Sequence, residues 1–110
     1  MATYDDFAKL DIRVGRITDV EDHDKAKKPM YKVTLYLGPE LGTRTVVAGI
    51  KARYTREELI NKKVACIVNL DPKTIVGVES HGMLLAAGDG ALALSLLTVD
   101  RDVAEGSRIS

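Results

Sequence analysis

The segment from Thr43 to Leu70, TRTVVAGIKARYTREELINKKVACIVNL, carries the fold decision because it switches period twice in 28 residues. Thr43 to Ile50 is rich in Thr, Val and Ile and reads as a strand. Thr55-Arg56-Glu57-Glu58 is a capping box: the Thr55 hydroxyl accepts from the Glu58 backbone N–H while the Glu58 carboxylate reaches back. Glu57 and Glu58 in the first turn suit the positive end of a helix, and Leu59-Ile60 supply its apolar face. Asn61 before Lys62-Lys63 is a stop signal, so a helix of about two turns is expected. Val64 to Leu70 is then almost wholly apolar, the pattern of a strand covered on both faces.

Upstream, Met30 to Leu37 alternates, with Tyr31, Val33, Leu35 and Leu37 on one face and Lys32, Thr34 and Tyr36 on the other. Gly38-Pro39-Glu40-Leu41-Gly42 returns it into Thr43 as a hairpin with a five-residue loop. Leu10 to Val20 alternates until Gly15-Arg16, where parity slips; a glycine beside a slip marks a bulge or sharp bend. Downstream, Asp71-Pro72-Lys73 turns the chain, and Ile75 and Val78 flank Gly77. Met83 to Ala87 reads as a strand, and Gly88-Asp89-Gly90 turns into Ala91 to Val99. The tail from Asp100 to Ser110 holds only Val103 and Ile109 as large apolar residues and is expected to pair at an edge. Five or more strands with one short helix between the third and fourth is the layout of an all-β OB-fold, a five-stranded Greek-key barrel. One domain, 1–110, is expected, with Phe7 packed under the barrel end.

Composition limits the setting. Of 110 residues one is cysteine, Cys66, which excludes a disulfide framework or a multi-cysteine zinc site and suits a reducing, cytoplasmic location. Amid aliphatics, Cys66 reads as a buried core thiol. No apolar run approaches the ~20 residues of a membrane span, so no membrane partner is expected, and Met1 to Lys9 has no apolar secretory core. Formal net charge is zero, but it is unevenly spread. Residues 1–24 hold three basic and seven acidic side chains, 25–63 ten and three, and 64–110 three and six. Local field steers an anionic partner, so the basic middle is a candidate contact. A solvated basic face without any such partner satisfies the same composition.

Catalysis finds little footing. His23 and His81 are the two histidines, and Ser80-His81 are neighbours whose side chains point to opposite faces in extended chain. Gly77 to Gly82 misses the nucleophile elbow by one residue, and no phosphate-binding glycine motif or metal-ligand spacing is present. Neither a cofactor nor a metal is expected. The basic set comprises Lys25, Lys27, Lys28, Lys32, Lys51, Arg53, Arg56, Lys62, Lys63 and Lys73. Single-strand binders offer several aromatic platforms, whereas this chain has one Phe and four Tyr. A folded RNA met by shape and phosphate contact fits that poverty better.

Several motifs in order resemble one family. They are Asp6-Phe7 with Lys9 to Gly15, Gly49-Ile50 with Tyr54, Glu57 to Ile60 with Lys62-Lys63, and Asn69-Leu70 with Pro72-Lys73. Gly77 to Ser80 with Gly82 to Ala87 is the most specific stretch. Together they resemble the tRNA-binding domain found at the C-terminus of many methionyl-tRNA synthetases and in stand-alone structure-specific tRNA-binding proteins. The resemblance implies a homodimeric, non-catalytic OB-fold module that grips the outer corner of folded tRNA. By motif, it implies Lys32, Lys51, Arg53, Asn69, Lys73, Ser80 and Met83 as RNA contacts, and an aminoacyl-tRNA synthetase as a partner. The segment before the second strand departs from that pattern. Asp24 to Val33, with Gly38 to Gly42 after it, looks like the CsaA branch of export-related chaperones. That branch implies binding of unfolded or precursor polypeptides, with Met30 and Tyr31 as candidate contacts. Dimerisation is expected through the N-terminal segment around Phe7 and the C-terminal strands.

Overall fold

The computed structural model describes residues 1–90 and 93–110. Its frame is the long strand β1 (Ile12–Asp22). From Ile12 to Arg16 this strand pairs antiparallel with β4 (Lys63–Ile67), and from Arg16 to Asp22 with β2 (Tyr31–Tyr36). One strand serves two neighbours because its pairing passes from β4 to β2 at Arg16, beside the parity slip. A Cβ at Gly15 would sit 2.7 Å from Leu37 Cδ2, so glycine lets Leu37 pack close against the strand. The bulge expected at Gly15 falls further on, as a register shift between Ile17 and Asp19 that adds twist.

Strand β2 pairs with β3 (Thr43–Ala48), Tyr36 opposite Thr43, as the hairpin reading requires. The connection holds a single helical turn, α2 (Gly38–Leu41). The sheet order is β3-β2-β1-β4-β7, with β7 at Met83–Leu84. Closure falls between β3 and the chain entering β7. There the His81 N–H donates to the Thr45 carbonyl at 2.9 Å, and the buried Ser80 hydroxyl accepts from the Val47 N–H at 2.9 Å. The result is a nearly closed OB-like barrel.

Between β3 and β4 lies α3 (Arg56–Leu59), capped as the sequence predicts: Glu58 N–H to Thr55 Oγ1 at 3.3 Å and Thr55 N–H to Glu58 Oε1 at 2.9 Å. It is one turn long, not two. Ile60 is extended, still packed against the core, and Asn61 takes a positive φ of 70°, the left-handed conformation that asparagine tolerates and that ends the helix there. Leu59 is fully buried with Ile17, Leu35, Val46 and Val64, and a buried leucine contributes about 1.5–3 kcal/mol.

Strand β4 is covered on both faces. Val64 and Cys66 point into the barrel, while Ala65 and Ile67 join Ile12, Leu10, Leu70, Leu85 and Ile109 outside it. Burial pushes the Cys66 thiol up to about 11, which leaves it an inert core group.

Three expectations change. Phe7 is not under the barrel: it lies on α1 (Tyr4–Ala8), a helix with no buried residue, and is 38% exposed. The run from Met83 to Ala87 changes partner, β7 pairing with β4 and then β8 (Ala86–Ala87) with β9 (Ser95–Leu96). The strand expected from Ala91 to Val99 shrinks, among the described residues, to β9, while Ala91 and Leu92 lie outside them.

The tail does pair at an edge. It runs beside the first half of β1, with Ile109 N–H on the Ile12 carbonyl at 2.8 Å and Gly106 N–H on the Val14 carbonyl at 2.7 Å. Arg16–Glu105 at 2.9 Å and Lys63–Asp102 at 2.6 Å tie it down. Arg13 links both layers, donating to Asp11 at 2.6 Å and to the Gly106 carbonyl at 3.1 Å. The hydrogen bond from Arg13, reinforced by its charge, holds the Asp11 carboxyl below the ordinary value of 3.8. The stability this supplies is whole above that value and is lost as pH falls below it through the depressed pKa. Thermal melts between pH 5 and pH 2 should therefore decline less steeply for Asp11→Asn than for the parent chain. Equal slopes would remove Asp11 from the account.

Candidate nucleic-acid interface

Polar alternation on β2 brings Lys32 and Thr34 to the outside of the barrel, as the sequence predicts. Lys32 lies opposite Glu21 on β1, with 3.8 Å between their charged atoms. Tyr36 is not an open platform, because the Arg16 guanidinium stands over its ring at 5.9 Å. Past β3, Lys51 meets Asp22 at 3.0 Å. The hydrogen bond to that carboxylate holds the lysine above its ordinary value. Arg53, two residues on, stacks over Tyr54 at 5.7 Å and is exposed. Arg53 and Lys73 carry no ion pair among the described residues.

A third basic element is the small hairpin of β5 (Lys73–Ile75) and β6 (Val78–Ser80), in which Lys73 lies opposite Ser80. It is positioned by His23, a buried side chain whose Nε2 stands 2.8 Å from the Ile75 carbonyl. The His23 backbone also closes its own loop, its N–H on the Met30 carbonyl at 3.0 Å and its carbonyl accepting from Ala26 at 3.1 Å. The loop between β1 and β2 and the β5–β6 hairpin are thus fixed to each other.

Three clefts follow this junction. One is lined by Asp22, Lys25, Lys32 and Val76, the next by Lys25, Lys28, Met30, Ile75 and Val76, and the third by Lys73, Ile75, Ser80 and Met83. Shared Lys25, Val76 and Ile75 make them one continuous surface. Lys32, Lys73 and Met83 meet on it, with Lys51 joined through Asp22, and Met83 is 47% exposed.

The remaining named residues are engaged elsewhere. Asn69 accepts from the Asp11 N–H at 2.8 Å and donates to the Lys9 carbonyl at 2.7 Å, clamping the entry to β1. Ser80 lines the third cleft but spends its oxygen on β3. Tyr31 is buried in the barrel, its hydroxyl donating to the Tyr54 carbonyl at 2.9 Å; of the Met30–Tyr31 pair only Met30 faces a cleft. The sequence reading missed two residues. They are His23, which no local pattern sets apart from any other histidine, and Val76, although Ile75-Val76-Gly77-Val78 has the spacing of a two-residue hairpin.

A family profile described as "Putative tRNA binding domain" matches residues 12–108. The chain belongs to this tRNA-binding domain family. Among its relatives, the methionine–tRNA ligase of Pyrococcus horikoshii is 51% identical over 106 residues, covering 96% of this chain. The chain spans 14% of that ligase's length. The CsaA chaperone protein from Picrophilus torridus is 42% identical and superposes at a TM-score of 0.93, each chain covered in full. A methionyl-tRNA synthetase related protein from Pyrococcus horikoshii is 34% identical with a TM-score of 0.89, covering 100% of this chain and 98% of its own. Both branches that the sequence resembles therefore share this barrel. Among the described residues no helix is long and apolar enough to cross a membrane.

Proposed function

We propose that this chain is a non-catalytic, cytoplasmic tRNA-binding protein that meets folded tRNA as a homodimer. The observation that carries the reading is the continuous surface where Lys25, Lys32 and Lys73 converge around the His23-braced junction, with Lys51 joined to it through Asp22 and Arg53 exposed two residues further along the chain. Lysine and arginine there displace counterions from phosphates, which supplies affinity without base sequence. With Tyr36 covered by Arg16, the surface favours a duplex-rich, folded RNA over a stacked single strand. Ser80 serves by holding this surface in shape, Asn69 by clamping the entry to β1, and Met83 offers an apolar contact.

Dimerisation is supported by the exposed apolar residues of the N-terminus, where Tyr4 and Phe7 of α1 are 76% and 38% exposed. An aminoacyl-tRNA synthetase is a partner suggested by the ligase relatives. A second reading, a chaperone for unfolded or precursor polypeptides, is favoured by one observation: the cleft beside Met30 has an aliphatic floor.

Two assays on the same preparation separate the readings. Tight binding of labelled mixed tRNA at low salt, without suppression of client aggregation, supports the first. No RNA binding, with suppression of aggregation at stoichiometric protein, replaces it with the second. Light scattering at micromolar concentration should return twice the 12.0 kDa chain mass, and a monomer would remove the dimer.

A further inference from the structure

The cleft between the β1–β2 loop and the tip of the β5–β6 hairpin has a volume of about 330 Å³. Its floor is aliphatic, made by Met30, Ile75 and Val76, and its rim carries Lys25, Lys27 and Lys28. No carboxylate lines it. The tip is built against local preference. Val76 and Gly77 take φ values of 47° and 82°, the two positive angles that a two-residue hairpin turn demands. Glycine adopts such an angle freely and asparagine tolerates it, but a β-branched residue there is an outlier. Val76 regains little by burial, since 51% of it is exposed. Strain kept for an exposed aliphatic side chain points to a contact with something outside the chain.

We propose that this cleft takes an unpaired nucleobase of the bound RNA, flat against Met30, Ile75 and Val76, with its flanking phosphates on Lys25, Lys27 and Lys28. The inference rests on the tRNA reading and adds to it a pocket for one base beside the phosphate-binding face. Apolar side chains bracket an extruded base much as aromatic ones do. Three lysines without an opposing carboxylate suit a polyanion better than a polypeptide of mixed charge. The cleft also adjoins the rest of the surface, through Ile75 toward Lys73 and Asp71 and through Val76 toward Lys32, Asp22 and Asp24, so the stretch free of carboxylates is the cleft itself. His23 fixes both of its walls, so little ordering is needed on binding.

Val76→Asn tests the idea, because asparagine suits the turn while removing the aliphatic wall. The variant should melt no lower than the parent. It should bind folded tRNA about tenfold more weakly, with an unchanged dependence on salt because no charge is lost. Val76→Gly, which also suits the turn, should behave alike. If both variants bind tRNA as tightly as the parent, the base pocket is overturned while tRNA binding stands. If the parent itself binds no tRNA, the underlying reading fails instead. If the variants keep their tRNA affinity but no longer suppress aggregation of reduced α-lactalbumin, the occupant is a polypeptide and the proposal is equally overturned.

Discussion

The double variant Arg53→Ala/Lys73→Ala is expected to bind folded tRNA about fortyfold more weakly than the parent near 0.1 M salt. Each phosphate contact contributes about 0.7–0.9 to the slope of log affinity against log salt, so losing two should flatten that slope by about 1.6. These residues are chosen because neither is held by a carboxylate among the described residues, and Arg53 is already oriented by Tyr54. Lys51 is different, being paired with Asp22 at 3.0 Å. Asp22→Asn should therefore release Lys51 and raise affinity several-fold. Filter binding at four salt concentrations measures both. A double variant with unchanged slope would show that RNA, if bound, meets another face.

Leu59→Ala should be the most damaging single change to stability. Leu59 is fully buried and sits in a one-turn helix that has no other buried side chain to hold it. Truncating a buried leucine costs about 2–5 kcal/mol, so about 3 kcal/mol is expected, lowering Tm by about 10–15 °C. The cap does not compensate, because the Thr55 and Glu58 hydrogen bonds are exposed and such caps contribute about 1 kcal/mol. Calorimetry checks this; a loss under about 1 kcal/mol would mean the barrel end closes without Leu59.

The elements that could be read from the sequence are those whose cause is local or periodic. The Thr55–Glu58 box works within four residues, β4 announces two-sided burial by its unbroken apolar run, and the parity slip at Gly15 marks where β1 changes partner. What escaped depends on partners distant in the chain. Asn69 and Ser80, expected by motif to meet RNA, instead hold backbone groups 58 and 33 residues away, at Asp11 and Val47, which no local pattern announces. The β5–β6 hairpin hid because its strands are three residues long and largely exposed, and because valine at position 76 is the wrong residue for its turn. Phe7 was misplaced since an aromatic in an apolar-poor segment suggests burial, while α1 packs no buried residue at all. The basic character of residues 25–63 was visible at once. That Lys73 and Met83, outside that block, join it is a product of barrel closure.

The most direct test of the account is fluorescence anisotropy of labelled tRNA from about 50 to 300 mM salt, with an unstructured RNA of equal length as competitor. Folded tRNA should win the competition, and its affinity should fall linearly with log salt, with a slope of about −3 to −5 for four to six phosphate contacts. Affinity independent of salt, or equal competition by the unstructured strand, would contradict the claim that this surface reads folded RNA through its phosphates.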